Sequence, residues 1–213
     1  MTKLVLHTLP PSPFNTKVRL ALSFKGLDYD TVEVHGFDGR EAIVEATGQP
    51  LTPVIVDGDR KVFDSFAILR YLDANFDGPR LYSNTREGMR EIERWEDLSR
   101  NGYGPALGLM LNMVISGEQN ADTITLVNKL FDQLTVRVEQ ALEKNAFLTG
   151  DAITAADLAI APFIHFASSD PESSPEKSLG RAVSTVLHLG ARHARTRAWV
   201  ERVMAYDRTA SAV

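Results

Sequence analysis

The apolar positions in the first third of the chain change period several times. Residues 3–7 (KLVLH) form a short apolar run, read as a strand. From Phe14, apolar side chains at Val18, Ala21 and Leu22 follow the i, i+4, i+7, i+8 spacing of an amphipathic helix. Gly26 stands where a helix C-terminus favours glycine. Residues 29–34 (YDTVEV) alternate as a half-buried strand does. Strand, helix and strand within about 35 residues predict a right-handed βαβ unit with parallel strands. After a polar stretch, TPVIVDGDRKVFD sets two apolar runs around Asp57-Gly58, a hairpin signal because such a turn needs positive φ. SFAILRYLDANF then puts Ile68, Leu69, Leu72 and Phe76 on one helix face. The predicted order is β-α-β followed by β-β-α, closing near residue 76.

Residues 77–88 (DGPRLYSNTREG) are polar and rich in turn formers, as a linker is. Beyond them no strand pattern recurs. Residues 87–116 carry helical spacing, interrupted by NGYGP at 101–105, which is expected to bend or break the helix. Val127, Leu130, Phe131, Leu134, Val138, Ala141 and Leu142 form one stripe between residues 122 and 145. In GDAITAADLAIAPFIHF, Thr154 and Asp157 stand three apart as a capping box with Asp in place of Glu, and Ile153 and Leu158 occupy the staple positions. That pair reads as structural, its loss as a cap costing about 0.5–2 kcal/mol. SSDPESSPEKS is a loop, and two shorter helices are expected to finish the chain. The organisation is an α/β domain at residues 1–78, a linker at 79–87 and an all-α domain at 88–213.

Composition narrows the chemistry. The chain has 213 residues, with 44% hydrophobic and 24% charged. A net charge of −5 argues against a nucleic-acid partner, which calls for a basic domain. No cysteine is present, so disulfides, thiolate metal sites and a cysteine nucleophile are ruled out. No window reaches the roughly 18 apolar residues of a membrane helix, and the first residues lack the apolar core of a secretion signal. A cytoplasmic protein with no membrane partner is expected. His7, His35, His165, His188 and His193 show no metal-ligand spacing beyond a loose pair near residue 190, so no metal is expected. The basic run at residues 190–203 reads as a solvated helix face.

Two helix starts carry candidate chemistry. Ser12 precedes Pro13, a residue suited to the first helical position, and Asn15 in place of Glu leaves no capping box to hold the serine. The local sequence fits equally a plain cap and a hydroxyl free to donate elsewhere. Ser65 is placed to cap the helix beginning FAILRYL, whose N-terminus attracts carboxylates.

Four stretches together resemble the cytosolic glutathione transferases. SPFNTKVRLAL is similar to that family's active-site loop and first helix, and LTP before VIVDGD to the turn holding its cis-proline, at Pro53. DSFAILRYL resembles its acidic-Ser motif and third helix, and GDAITAADLAIAP its central capping box. The resemblance implies a thioredoxin-like α/β domain followed by an all-α helical bundle, with glutathione as co-substrate, a small hydrophobic electrophile as second substrate, and a homodimer. It implies Ser12 as donor to the thiolate, with Asn15 as a second polar group and Thr8 a weaker one. Asp64 and Ser65 would hold the γ-glutamyl end, with Ser65 on its carboxylate. If the Thr52–Pro53 bond is cis, the Thr52 backbone would pair with the cysteinyl backbone like an added sheet rung. Gln49 and Arg40 fall in the loop that reaches the glycyl end. Tyr103, Leu107 and Met110 are the candidates for the acceptor pocket.

The chain departs from the family pattern in places. Its EATGQPLTP run lacks an Asn-Pro pair, the first tyrosine is Tyr29, and an SSCS motif is absent. The tyrosine- and cysteine-dependent mechanisms are thereby excluded. A thiol has a pKa of about 8.5, and lowering it by two units takes roughly 2.7 kcal/mol. A hydrogen bond to a charged group supplies about 1.5–3 kcal/mol and a helix N-terminus about 0.3–1. One hydroxyl at one helix start is sufficient. Two other functions stay open: a non-catalytic binding or protein-interaction module, and a glutathione-dependent isomerase or lyase.

Overall fold

The computed structural model describes residues 3–34, 38–118 and 120–208; His35 lies outside them. The chain divides into two units, one running to Tyr82 and resuming at Tyr206, the other spanning Ser83–Ala205.

In the first unit, strand β1 (Leu4–Thr8) leads to helix α1 (Pro13–Phe24) and strand β2 (Tyr29–Glu33). The two strands pair in parallel, as the βαβ reading requires. Val18, Ala21 and Leu22 of α1 are completely buried. The helix ends as its glycine predicts: Gly26, at φ +70, donates to the Ser23 carbonyl at 3.0 Å, and Leu27 donates to the Leu22 carbonyl at 2.9 Å. These two bonds form a Schellman motif, which leaves the left-handed residue to glycine.

Strands β3 (Val54–Asp57) and β4 (Arg60–Phe63) are antiparallel, and the sheet order is β2-β1-β3-β4. β1 and β3 also run antiparallel, with Leu6 opposite Ile55 in the core. The turn is centred one residue later than the sequence suggests. Gly58, at φ +57, is its first central residue and Asp59 its second, the arrangement that puts glycine first.

A second correction concerns the polar stretch before β3, which contains helix α2 (Asp38–Thr47). Among the residues of this helix whose burial is described, only Ile43 and Thr47, one turn apart, are buried. So narrow a seam produces no readable period. The Thr47 hydroxyl donates to the Ile43 carbonyl at 2.7 Å, which lets a polar side chain stand on the inner face.

Helix α3 (Ser65–Asn75) buries Phe66, Ile68, Leu69 and Leu72. Its Asp73 accepts from the Leu81 N–H at 2.7 Å and the Tyr82 N–H at 3.3 Å and pairs with Lys25 at 3.4 Å. Leu81 and Tyr82 are buried in consequence. Part of the stretch read as linker therefore belongs to the first unit.

The second unit is helical: α4 (Arg86–Leu98), α5 (Gly104–Ser116), α6 (Ala121–Ala141), α7 (Ala155–Ser168), α8 (Leu179–Val186) and α9 (Ala194–Met204). Thr85, Asn120 and Ser178 cap α4, α6 and α8 through their side-chain oxygens. NGYGP does not break the helical path. A π-helical turn (Ser99–Tyr103) joins α4 to α5, with the Gly104 N–H donating to the Ser99 carbonyl. Pro105 has no N–H for the carbonyl four residues back, and the wider turn absorbs the missing bond. Within the stripe of α6, Val127, Phe131, Val138 and Leu142 are fully buried, whereas Leu130, Leu134 and Ala141 are half-buried. The basic run near residue 190 is more than a solvated face: Arg192 and His193 pair with Asp132 of α6, and Arg195 pairs with Glu139.

The capping-box residue Asp157 has a wider role than capping. Its carboxylate accepts from the Thr154 N–H, the Leu148 N–H and the Trp199 indole N–H, each at 2.9 Å, and the whole residue is buried. Burial drives its pKa upward, against these donors. It thus ties α7, α9 and the chain before α7 together. Because two buried donors and one half-buried donor would lose their acceptor, Asp157→Ala is expected to cost about 3–5 kcal/mol, well beyond a cap. Urea unfolding measures this.

Glu139 behaves in the opposite sense. Burial raises its pKa, but bonds from Thr196 and Arg195 outweigh that and hold it below the ordinary glutamate value. A depressed carboxyl contributes stability above its unfolded pKa, and this is lost as pH falls through the lower folded value. Glu139→Gln should therefore lower the urea midpoint near neutral pH and flatten its decline across that acid window.

Candidate functional site

The first unit places Ser12 and Asn15 at the start of α1, Asp64 and Ser65 at the start of α3, and Thr52 and Pro53 in the loop before β3. Ser12 is the N-cap residue of α1, extended at φ −144 and ψ 125, and its carbonyl accepts from the Thr16 N–H at 2.9 Å. Pro13 occupies the first helical position. The serine side chain makes no capping bond, and among the described residues its hydroxyl has no hydrogen-bond partner. The side chain is half-buried, and its hydroxyl makes none of the bonds of a cap.

The helix behind it is held by buried polar groups. Asn15 is 1% exposed, and its Nδ2 donates to Thr52 Oγ1 at 3.2 Å, joining α1 to the loop before β3. The Thr52–Pro53 bond is cis, as the resemblance implies, and so is Pro10–Pro11. Arg19 donates from Nε and Nη2 to the two oxygens of Asp207 at 3.1 and 2.7 Å, and from Nη2 to Thr16 Oγ1 at 2.9 Å. Phe24 meets Tyr206 edge-on, with centroids 5.4 Å apart. The C-terminal residues of the first unit thereby clamp the middle and the C-terminal end of α1.

At α3 the structure corrects the sequence reading. Asp64, not Ser65, is the N-cap: its Oδ1 accepts from the Phe66 and Ala67 N–H groups at 3.0 and 3.1 Å. Asp64 adopts φ +66 and ψ 118, a conformation an L-residue seldom takes. Ser65 is the first residue of the helix proper, and its Oγ accepts from Lys17 Nζ at 3.2 Å. A serine at this position points away from the helix ladder and is available to a side chain or a ligand.

The remaining candidates stand apart. Thr8 ends β1 with its hydroxyl buried and without a hydrogen-bond partner among the described residues. Gln49 turns back on its own loop, accepting from the Leu51 N–H at 3.0 Å and donating to the Leu51 carbonyl. Arg40 is exposed on α2 rather than in a loop. Tyr103 is a core residue of the second unit, against the expectation that an irregular turn would present it outward. Its ring packs edge-on against Phe131 at 5.2 Å, and its hydroxyl shares a 3.0 Å hydrogen bond with Thr135. Burial pushes its phenol pKa strongly upward. Tyr103 closes the π turn and lies fully in the core. Leu107 and Met110, on α5, are buried as well.

Lys17 is not among the residues that the sequence singles out. It is completely buried, with Nζ on Ser65 and 3.3 Å from the centroid of the Phe66 ring. The signal was present: Lys17 lies three residues after Phe14 and four before Ala21, a charge on the apolar face of α1. Among the described residues no group of three or more His, Asp or Glu side chains is placed to hold a metal ion. No described helix is long and apolar enough to cross a membrane.

The strained cap at Asp64 yields a test. Asp64→Ala keeps the strain and loses the cap, and is expected to cost about 1–2 kcal/mol. Asp64→Gly loses the cap but relieves the strain, so its unfolding midpoint should lie closer to that of the wild type.

Comparison with known proteins agrees with this geometry. The family model for the glutathione S-transferase N-terminal domain matches residues 6–80. The chain is 35% identical over 152 residues to glutathione S-transferase F10 of Arabidopsis thaliana, covering 67% of this chain and 71% of that one. It is 30% identical over 172 residues to glutathione S-transferase Z2 of the same plant, covering 78% and 77%. Among solved structures, glutathione S-transferase III in apo form superposes with a TM-score of 0.75 at 23% identity, covering 100% of this chain and 97% of that one. A transferase of Methylobacterium radiotolerans, in complex with glutathione sulfonate, does so with 0.74 at 22%, covering 99% and 93%. The uncommitted serine at the start of α1, the cis-proline before β3 and the acidic-Ser start of α3 thus stand in a chain that belongs to the glutathione S-transferase family.

Proposed function

We propose that the protein conjugates glutathione to small hydrophobic electrophiles, with Ser12 donating a hydrogen bond to the thiolate. The observation that carries this reading is the Ser12 hydroxyl, placed at the positive end of α1 and engaged by none of the described residues. That end lowers the thiol pKa by the combined effect of one charge-assisted hydrogen bond and the helix terminus. The thiolate sulfur then attacks the electrophilic carbon, a carbon–sulfur bond forms, and the leaving group departs with its electron pair. Asn15 acts through Thr52, whose hydroxyl it holds at 3.2 Å, and the Thr52 backbone would receive the cysteinyl portion. Asp64 and Ser65 would take the γ-glutamyl end, with Ser65 on the carboxylate. Gln49 supports the loop carrying Thr52, and Arg40 is a more distant candidate for the glycyl carboxylate. Family membership also supports a homodimer.

The test compares wild type with Ser12→Ala using a reactive aryl halide. A loss of two units of pKa depression, back to about 8.5, cuts the thiolate fraction at pH 7 about 25-fold, and kcat/KM should fall by about that factor. Ultraviolet titration of bound thiolate should show the same shift, with the Kd for glutathione little changed. Full activity in Ser12→Ala would remove the assignment of that residue. No glutathione binding at millimolar concentration would leave a non-catalytic module, and turnover that requires glutathione without consuming it would indicate an isomerase or lyase.

A further inference from the structure

The Lys17 ammonium reaches Ser65 Oγ from inside the first unit, at 3.2 Å and with the lysine fully buried. An ammonium carries three donors and no acceptor, so Ser65 Oγ must be the acceptor in this bond. A serine hydroxyl has a single proton to give. Among the described residues no acceptor takes it. The Asp64 carboxylate meanwhile satisfies the N–H groups of Phe66 and Ala67, so the hydroxyl of Ser65 is the polar side-chain group left at this helix start to receive a ligand.

We infer that Lys17 is a positioning residue that fixes the Ser65 hydroxyl as a hydrogen-bond donor and so makes this end of the site selective for an anionic ligand group. A serine free to rotate could accept from a ligand amide or donate to a carboxylate. With one lone pair engaged by an ammonium, its proton is turned away from Lys17 and toward the entering group. The positive charge behind it also polarises the O–H bond and favours an anion in front of it, in surroundings where burial weakens screening. The lysine stem and the face of Phe66, 3.3 Å from Nζ, hold the ammonium in place. Lys17 acts through Ser65 and needs no contact with ligand. This inference rests on the proposed binding of the glutathione γ-glutamyl carboxylate at Ser65.

Calorimetric titration of the full chain tests it, with two probes: glutathione, and the analogue whose γ-glutamyl α-carboxylate is converted to the carboxamide. Lys17→Met keeps the stem and removes the donor. It should weaken glutathione binding about tenfold or more, and carboxamide binding by less than about twofold. Lys17→Arg, which restores a cationic donor, should recover most of the loss, and in a Ser65→Ala background Lys17→Met should add little. Lys17→Gln, whose amide can accept the serine proton, should shift preference toward the carboxamide and carries the same test if Lys17→Met does not fold. Equal losses for both probes, or unchanged glutathione affinity in folded Lys17→Met, would overturn the role of Lys17 while leaving the proposed function intact. Failure of the wild type to bind glutathione would remove the proposed function, and this inference with it.

Discussion

Helix α1 buries a run of polar and charged side chains, and pairing them ties the helix to several other segments of the first unit. Asn15, Thr16, Lys17 and Arg19 of the helix, and Lys25 at its C-cap, are all taken out of water. A buried polar group without a partner costs about 1–3 kcal/mol, and a charged one more. Apart from Thr16, which accepts from Arg19 on the same helix, each is therefore met by an oxygen from a different part of the chain. Thr52 receives Asn15, Ser65 receives Lys17, Asp207 receives Arg19, and Asp73 receives Lys25. These oxygens lie on the loop before β3, at the start of α3, in the C-terminal residues and late in α3. The helix thereby acquires a single register, and the serine at its start acquires a defined place.

The two helix starts use the same chemistry in opposite ways. At α3 the carboxylate of Asp64 takes the first N–H groups, at the expense of an unusual φ, and leaves the neighbouring serine to Lys17. At α1 proline occupies the first helical position, where no N–H is needed, and the Ser12 hydroxyl is left unengaged by the helix. A helix N-terminus is positive in both cases. The difference lies in which side chain is committed to the protein's own backbone and which is kept for something else.

The second unit shows why local signals mislead when they concern breaks. Glycine and proline in NGYGP oppose an α-helix, but the chain can absorb a missing N–H by widening one turn instead of ending the helix. That choice depends on the packing of Tyr103 against Phe131 and on its bond to Thr135, both long-range in sequence. The Asp157 carboxylate is a related case. Its spacing from Thr154 shows a cap, but nothing local indicates that Trp199 donates to it from α9.

Much of the fold was legible in the chain. The periods of β1, α1, β3, β4, α3 and α6, the glycine that ends α1 and the capping box of α7 follow from local sterics and hydrophobic spacing, which neighbouring residues determine by themselves. The candidate site at the starts of α1 and α3 was legible as a proposal for the same reason, since Ser12-Pro13 and Asp64-Ser65 are local cap chemistry. The narrow seam of α2, the inward turn of Tyr103, the choice of Asp64 over Ser65 as cap and the burial of Lys17 were decided only by tertiary structure. Each depends on which oxygen, ring or carbonyl a distant segment brings within reach, and the cost of leaving a polar group unpaired in the interior has no counterpart in local spacing.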